Sequence, residues 1–463
     1  MRTESRAGIA PRALPLFGHT LPMLYDPLVF LTSLPAHGDL VRIRIGPFEA
    51  TVVCTPELVR QVLLNDRVFD KAGPFFDCAR EAFGDGLATC PHDLHRRQRR
   101  LVQPAFHPAR FSGYAQVMTK HIAEVTESWQ HDQVLDIFSE MMTLTVRIAV
   151  EIMFSDTLPS AVLQAVFNDF NTILADIYIR TIVPPTLDKF LIVGNRRFNR
   201  ARNRLRKITR RVITDHRTDG ADRDDLLSTL LTVRDPTENQ GLSDTEIVDQ
   251  VITFFVAGFE STATVLAWAV YLLACHPEVE QRLHAEVDAV LGGRAACFDD
   301  LPKLQLTGRV ITETLRMYPP VWSLARTTTT DTHLGGHPIP AGTILICSPY
   351  LLHHLPDVYP DHDRFDPDRW IDGHPAQPPR EAFIPFAAGA RKCIGDTFAV
   401  VEATLAVATL AARWRLRLLP SRHVRPSRSV VLYPRGLRMC ATPRGEPRNR
   451  GLTGPAPTGM TQT

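Results

Sequence analysis

Ser243-Asp-Thr-Glu246 leads into a run from Val251 to Leu273 that is apolar almost throughout. Ser and Glu three residues apart form a capping box, which marks a helix start. Pro277 suits the opening of the next helix, so one long helix is expected to reach about Cys275. A helix apolar on all sides has to be buried on all sides. Either a bilayer or the centre of a large domain can do that, and by length alone this run could span a bilayer. Glu260 near its middle, Gly258 beside it and the lack of flanking Lys/Arg asymmetry favour the domain centre. The rest of the chain must then wrap around this helix.

There is enough chain to do so. It has 463 residues, 44% hydrophobic and 22% charged, which excludes disorder, collagen and a small disulfide scaffold. One large domain or about three ordinary ones would fit that length. A net charge of +2 gives no overall field for nucleic acid. The basic run from Asn195 to Lys207 carries Phe198, Leu205 and Ile208 at helical spacing, so it is expected as a solvated helix face. None of the eight cysteines forms a CxxC pair, which leaves zinc ribbons unsupported and implies free thiols in a reducing cytoplasm. Met1 to Pro22 has no charged segment followed by an apolar run, so neither a secretory signal nor a membrane anchor is expected there.

The coarse pattern is mainly helical with smaller sheets. Asp39 to Gly46 alternates at period two, and Ala50 to Cys54 continues it after a Gly-Pro turn. Helices are expected over Pro56 to Leu64, through most of Leu94 to Val233, and over Pro277–Leu291, Leu304–Met317 and Gly395–Trp414. Strands return from Thr327 to Tyr350, with Pro340-Ala-Gly342 as a hairpin-like turn, and again near Val430 to Leu437. Residues 353 to 392 lack periodicity, and long irregular segments of that kind are usually functional. Expected bounds are a flexible lead over 1–12, one domain over 13–442 and a disordered tail over 443–463.

The sharpest chemical signal is Phe386-Ala-Ala-Gly389-Ala-Arg391-Lys-Cys393-Ile-Gly395. A single Cys lies between two glycines in a loop that feeds a helix. Glycines allow tight turns and close approach to a bulky planar group. The amide N–H groups at the helix start favour thiolate over thiol. A thiolate is a recognised axial ligand for haem iron. Taken alone, such a Cys would be a small buried hydrophobe.

On these residues the chain, from about residue 11 to 440, resembles the cytochrome P450 superfamily, whose Phe-x-x-Gly-x-Arg-x-Cys-x-Gly pattern is matched in full. The resemblance implies a single large haem-binding domain with the P450 fold, in which Cys393 ligates the iron of haem b and Arg391 pairs a propionate. Glu313-Thr-Leu-Arg316 and Phe365-Asp-Pro-Asp-Arg369-Trp370 match the family's buried Glu/Arg/Arg brace, with Trp370 where Phe is commoner. Ala257-Gly-Phe-Glu260-Ser261-Thr262 matches the oxygen-activating segment, whose acid and alcohols relay protons, with Ser261 where Thr is usual. Alternatively, the two alcohols merely bond back to the preceding turn. A carboxylate in so apolar a run is harder to dismiss, because burying it is costly. His95 and Arg99, one helical turn apart, and Arg326 match further propionate ligands. Arg96, Arg97 and Arg100 are expected to face solvent and, with Lys392, to offer a basic face to a redox partner.

The resemblance implies a monooxygenase reaction: RH, O2, two electrons and two protons give ROH and water. With no fused flavin domain in the chain, electrons are expected from NAD(P)H through external proteins, a ferredoxin and its reductase. Segments Ala13–Thr20 and Leu64–Lys71 resemble bacterial terpenoid oxidases, which implies a sesquiterpene substrate in antibiotic biosynthesis. A monomer is expected. Candidate lining residues are Phe75, Phe76, Phe83, Leu87, Ile177, Tyr178, Ile182, Phe255, Phe259, Val321, Trp322, Leu324 and Val431, each of which is equally at home in a plain core. The alternatives are a haem-thiolate isomerase or peroxide-driven hydroxylase, a P450 acting on a fatty acid, steroid or polyketide, and a haem-binding sensor. Glu260-Ser261 speaks against the isomerase and peroxide readings.

Overall fold

Alternation at period two produces the first sheet. The computed structural model describes residues 5–155, 159–182, 192–219, 225–235, 239–420, 423–427 and 429–445. Strands β1 (Ala7–Ile9), β2 (Leu40–Ile45), β3 (Phe48–Val53) and β4 (Phe69–Asp70) come early, and β5 (Gln133–Asp136) follows in mid-chain. Later come β6 (Leu324–Thr328), β7 (Thr332–Leu334), β8 (His337–Ile339), β9 (Ile344–Cys347), β10 (Trp414–Leu418), β11 (Arg425–Pro426), β12 (Pro434–Arg435) and β13 (Arg438–Pro443). The main sheet has six strands in the order β1-β2-β3-β9-β6-β4, and a second sheet has the order β10-β13-β5. Val41 and Ile43 of β2 are buried and Arg42 between them is exposed, as the alternation requires, whereas Val52 and Val53 of β3 are both buried, so that strand end is covered on both faces.

Helices α1 (Thr20–Tyr25), α2 (Pro27–Ser33), α3 (Pro56–Leu64), α4 (Pro74–Phe83) and α5 (His92–Val102) accompany the sheet. A helical body follows in α6 (Phe111–Glu127), α7 (Ile137–Phe154), α8 (Ser160–Ile182), α9 (Ile192–Asp219) and α10 (Leu226–Thr232). It is completed by α11 (Asp244–Cys275), α12 (Pro277–Leu291), α13 (Gln305–Met317), α14 (Pro349–His353) and α15 (Asp396–Arg413). The capping box forms as expected: the Glu246 N–H donates to Ser243 Oγ at 3.3 Å and the Ser243 N–H to Glu246 Oε2 at 2.8 Å. At 32 residues α11 is about 48 Å long. It packs on α7, α9, α12, α13 and α15, and most of its apolar stretch is buried inside the protein. Two hydrophobic clusters result, one around α11 and one between the main sheet and α2, α3 and α14.

Three expectations are corrected. The lead over 1–12, expected as flexible, contains β1, which pairs in parallel with β2 because Ala7 to Ile9 continue the sheet edge. Pro340–Gly342 does not close a hairpin: it links β8 to β9, which lie in different sheets, and the tight hairpin turn is Gly335-Gly336 between β7 and β8. Over 430–437 only the two-residue strand β12 forms. At the C-terminal end β13 reaches Pro443 and Arg444 pairs with Asp288 at 2.6 Å; the remaining tail, 446–463, lies outside the described residues.

Candidate active site

The cysteine loop is built by close approach. The Cys393 N–H donates to the Phe386 carbonyl at 2.9 Å. Gly389 has a φ of +70°, and a Cβ there would stand 2.3 Å from the Leu63 carbonyl oxygen, so this position needs glycine. Gly395 differs from Gly389: its φ is −96° and a Cβ would make only ordinary contact with Phe106, so neither the backbone nor the neighbouring side chains demand glycine there. Instead its N–H faces the sulfur and favours thiolate, as do Arg99 and Lys71. Burial outweighs them and pushes the thiol up. Yet Cys393 is exposed by area. A sulfur ringed by protein and still reachable lies on the floor of a concavity. Binding a metal ion there would deprotonate it outright.

An opening also interrupts the buried face of α11. Ala257 is exposed and Gly258 and Ser261 half-buried, while the helix around them is closed. A Cβ on Gly258 would meet nothing within 4 Å. Positions 257 and 261 are one turn apart, so this is a single open stripe at mid-helix. Glu260 is buried beside it, and burial lifts its carboxyl to about 7. A carboxyl poised there both holds and releases a proton at neutral pH. Ser261 donates to the Ala257 carbonyl at 2.7 Å and Thr262 to the Gly258 carbonyl at 3.3 Å. Both alcohols thus back-bond to the preceding turn. Phe255 and Phe259 join Phe83 and Phe170 in an aromatic cluster with ring centroids 5.0–6.1 Å apart. Of the other candidate lining residues, Phe76, Leu87, Ile177, Trp322 and Val431 are buried, Phe75 and Leu324 half-buried and Val321 exposed. The side chains of Tyr178 and Ile182 lie outside the described residues. A surface cleft at Glu81, Arg202 and Arg206 and a small void between α11 and α15 contain none of the motif residues.

Beside the cysteine loop sits an unusual gathering of cations. His95, Arg326 and Arg391 are buried, Arg99 is half-buried, and Lys71 acts electrostatically on His95, Arg326 and Arg391. Burial first, then Arg326 and Arg391, lower Lys71 to about 7. Burial and Arg391 lower His95 to about 3, so it is neutral. Lys71 Nζ donates to the Ala88 carbonyl at 2.7 Å, Arg326 to its neighbour Ala325 at 2.7 Å and Arg99 to the Lys392 carbonyl at 2.5 Å. None of these acceptors is an acid. Arg391 reaches Asp70 at 2.8 Å, Asp66 at 3.3 Å and both the carbonyl and the sulfur of Cys90, at 2.8 and 3.9 Å. Lys71, Arg99, Arg326 and Arg391 thus face Asp66 and Asp70, with Asp396, already paired to Lys392, near Arg99 alone. Buried charge of one sign needs a counter-charge, and a ligand with two carboxylates supplies it. The donor set, the reachable sulfur and the open stripe of α11 together fit a large flat dianion bound through iron. Sequence reasoning missed Lys71 as a member, although its stretch was singled out.

The sequence profile of the cytochrome P450 family matches residues 10–441. The chain belongs to the cytochrome P450 family. It is 47% identical over 414 residues to a cyclooctat-9-en-7-ol 5-monooxygenase of Streptomyces melanosporofaciens, covering 89% of this chain and 90% of that one. Over 440 residues it is 45% identical to a pentalenene oxygenase of Streptomyces avermitilis, covering 95% and 98%. A cyclooctatin synthase of Streptomyces melanosporofaciens is 45% identical over 443 residues, covering 95% and 96%. The protein is a P450 monooxygenase; its cofactor is haem b, and its electrons come from redox partner proteins.

In this P450 the Glu/Arg/Arg brace is fully buried. Arg316 grips both oxygens of Glu313 at 2.9 Å and donates to the carbonyls of His353, His362 and Arg364. Arg369 stands 3.7 Å from Glu313 with its Nε and Nη1 unpartnered. Trp370 completes the brace by donating to Glu313 at 2.8 Å. The basic face is smaller than expected: Arg97 pairs with Glu246, Arg100 with Asp235 and Lys392 with Asp396. These acids are on other segments or a turn away, so residues 95–100 alone did not reveal them. Arg96 faces solvent as expected.

Proposed function

We propose that this P450 hydroxylates an apolar terpenoid in secondary metabolism, a sesquiterpene such as pentalenene, with Cys393 as the iron ligand and Glu260, Ser261 and Thr262 as the proton-delivery group. The open stripe of α11 carries this reading. It places small residues, an acid poised near neutrality and two hydroxyls on one short segment, beside aromatic rings that offer an apolar substrate contact without hydrogen bonds. Relatives named for pentalenene and for cyclooctat-9-en-7-ol support a terpenoid substrate.

When bound, haem supplies the reductive activation of dioxygen. The chain's own groups do the rest. Lys71, Arg99, Arg326 and Arg391 hold the propionates as charged donors and His95 as a neutral one. Glu260 delivers protons, and the Ser261 and Thr262 hydroxyls take them up once they turn from their own helix carbonyls. Gly258 leaves the room, and the Phe255 and Phe259 rings keep water from the reacting carbon. The electrons reach the protein from NAD(P)H through a ferredoxin and its reductase, docking near Arg96 and Lys392. We place the protein in the cytoplasm as a monomer.

The test is a screen of cyclic sesquiterpenes for a Soret shift, followed by turnover with ferredoxin, reductase and NADPH. Hydroxylated product is expected from at least one that shifts the band. Cys393→Ser is expected to abolish the thiolate-type Soret band of the reduced CO complex. Persistence of that band, or no shift with any sesquiterpene, overturns the corresponding half of the proposal.

A further inference from the structure

The irregular segment opens on a histidine that none of the motifs uses. His353, the last residue of α14, has no exposed surface. Both of its ring nitrogens meet main chain: Nδ1 lies 3.1 Å from the Arg316 carbonyl, and Nε2 accepts the Ile384 N–H at 3.0 Å. An N–H only donates and a carbonyl only accepts, so one protonation state fits, a neutral ring with its hydrogen on Nδ1. Burial, helped by His354 and Arg316, lowers the pKa of the ring well below its ordinary value and keeps it neutral. Arg316 needs this donor. Its carbonyl lies in the last turn of α13, and the residue four places on, Pro320, has no N–H to give. The Arg316 guanidinium returns a bond to the His353 carbonyl at 3.0 Å.

The other end of the ring holds the approach to the cysteine. Ile384 stands nine residues before Cys393. Its carbonyl accepts the Ala387 N–H at 3.0 Å, which closes a turn in which Ala387 has a φ of +59°, a conformation unfavourable for alanine. Within that turn the Phe386 carbonyl accepts the Cys393 N–H. No other hydrogen bond among the described residues joins α13 to this turn. We propose that His353 is a positioning residue for the sulfur: it ties the Ile384 turn to the end of α13, and so fixes where Phe386 holds the Cys393 backbone. It acts through the loop and not on the substrate. The role rests on the reading of Cys393 as the iron ligand. The hydrogen bonds themselves do not depend on it.

Two variants of the haem-loaded protein separate the ends of the ring. Glutamine carries its amide to the place of Nε2 and asparagine to that of Nδ1, so each keeps one bond. His353→Gln keeps the acceptor for Ile384, and His353→Asn keeps only the donor for Arg316. The readouts are the thiolate-type Soret band of the reduced CO complex and the iron–sulfur stretch in resonance Raman, with circular dichroism alongside. His353→Gln is expected to match the parent in both. His353→Asn is expected to shift the stretch and to lose the band about tenfold faster on mild heating, the effect of one buried N–H left unpartnered, while the helical signal holds. Equal behaviour of the two variants, or loss of the band only together with the helical signal, overturns the positioning role. A parent that lacks the band overturns the reading of Cys393 itself, which keeps the two failures apart. The nitrogen-15 shifts of the ring in the parent, identified by their loss in His353→Gln, are expected to show Nδ1–H across the neutral pH range. A ring protonated on Nε2, or one that titrates in that range, overturns the role even if His353→Asn takes up no haem.

Discussion

The indole N–H of Trp370 donates to Oε2 of Glu313 at 2.8 Å, in a cluster where Glu313 and Arg316 have no exposed side-chain surface. A phenylalanine at 370 could not make this bond. The indole compensates for Arg369, which stays 3.7 Å from the same carboxylate with two nitrogens unpartnered. The brace is therefore held by Arg316 and Trp370 more than by the second arginine.

That division ranks four substitutions. Glu313→Gln strands buried guanidinium charge and should cost about 3–5 kcal/mol, with poor folding or haem loss as the visible result. Trp370→Phe removes one bond to a charged acceptor and should cost about 1.5–3 kcal/mol. Arg369→Met should cost less than Arg316→Met. Thermal melts of the four haem-loaded variants check the order. Equal losses for the two arginines would contradict it.

The cation cluster predicts how firmly haem is held. Lys71 and Arg326 hydrogen-bond to carbonyls and not to acids; burial lowers the pKa of both, helped by Arg326 and Arg391 at Lys71 and by Arg391 at Arg326. A dianionic ligand relieves that repulsion. Lys71→Met or Arg326→Met removes one charged contact, worth about 1.5–3 kcal/mol, or about ten- to hundredfold in haem dissociation. Transfer of haem to excess apomyoglobin, followed at the Soret band, measures it. Unchanged transfer rates would remove both residues from the anchor.

Some of this was legible in the sequence, and the distinction is physical. The capping box, the apolar run, the β2 alternation and the Gly389 turn before Cys393 are local patterns, and each folds as its spacing demands; Gly395 does not need its glycine for the turn. Lys71 was not legible as a site residue, because the groups that make it one, Arg326 and Arg391, arrive from distant segments. The same holds for Arg97 and Arg100, whose partners Glu246 and Asp235 lie far along the chain.

The Glu260 carboxyl predicts a pH dependence of stability. Its folded-state pKa, about 7, lies above the unfolded value, so the folded protein binds the proton more tightly. The stability this contributes is complete below about pH 4 and is lost as pH rises through about 7. Glu260→Gln has no such proton. Relative to the parent, this variant should gain stability between pH 5 and 8, by on the order of 3 kcal/mol at the upper end. Denaturant melts of both proteins across that range give the difference curve. A flat curve would mean that Glu260 is not a buried, neutral acid, and would weaken its assignment as proton carrier.

Gly258→Ala separates stability from use. Alanine is favoured over glycine inside a helix by about 1 kcal/mol. The added Cβ would meet nothing within 4 Å, so no clash offsets that gain, and the melting temperature should rise. The space it enters is the open stripe between Ala257 and Ser261, which the proposed mechanism assigns to substrate and dioxygen. Turnover should therefore fall while haem content and the thiolate Soret band stay intact. Gains in stability at the cost of activity are expected where a site is kept open for function. Melting temperature and product formation, measured on the same preparation, decide it. A more stable variant with unchanged product formation would mean that the reaction does not use the space beside Gly258, and the stripe would lose its place in the proposed mechanism.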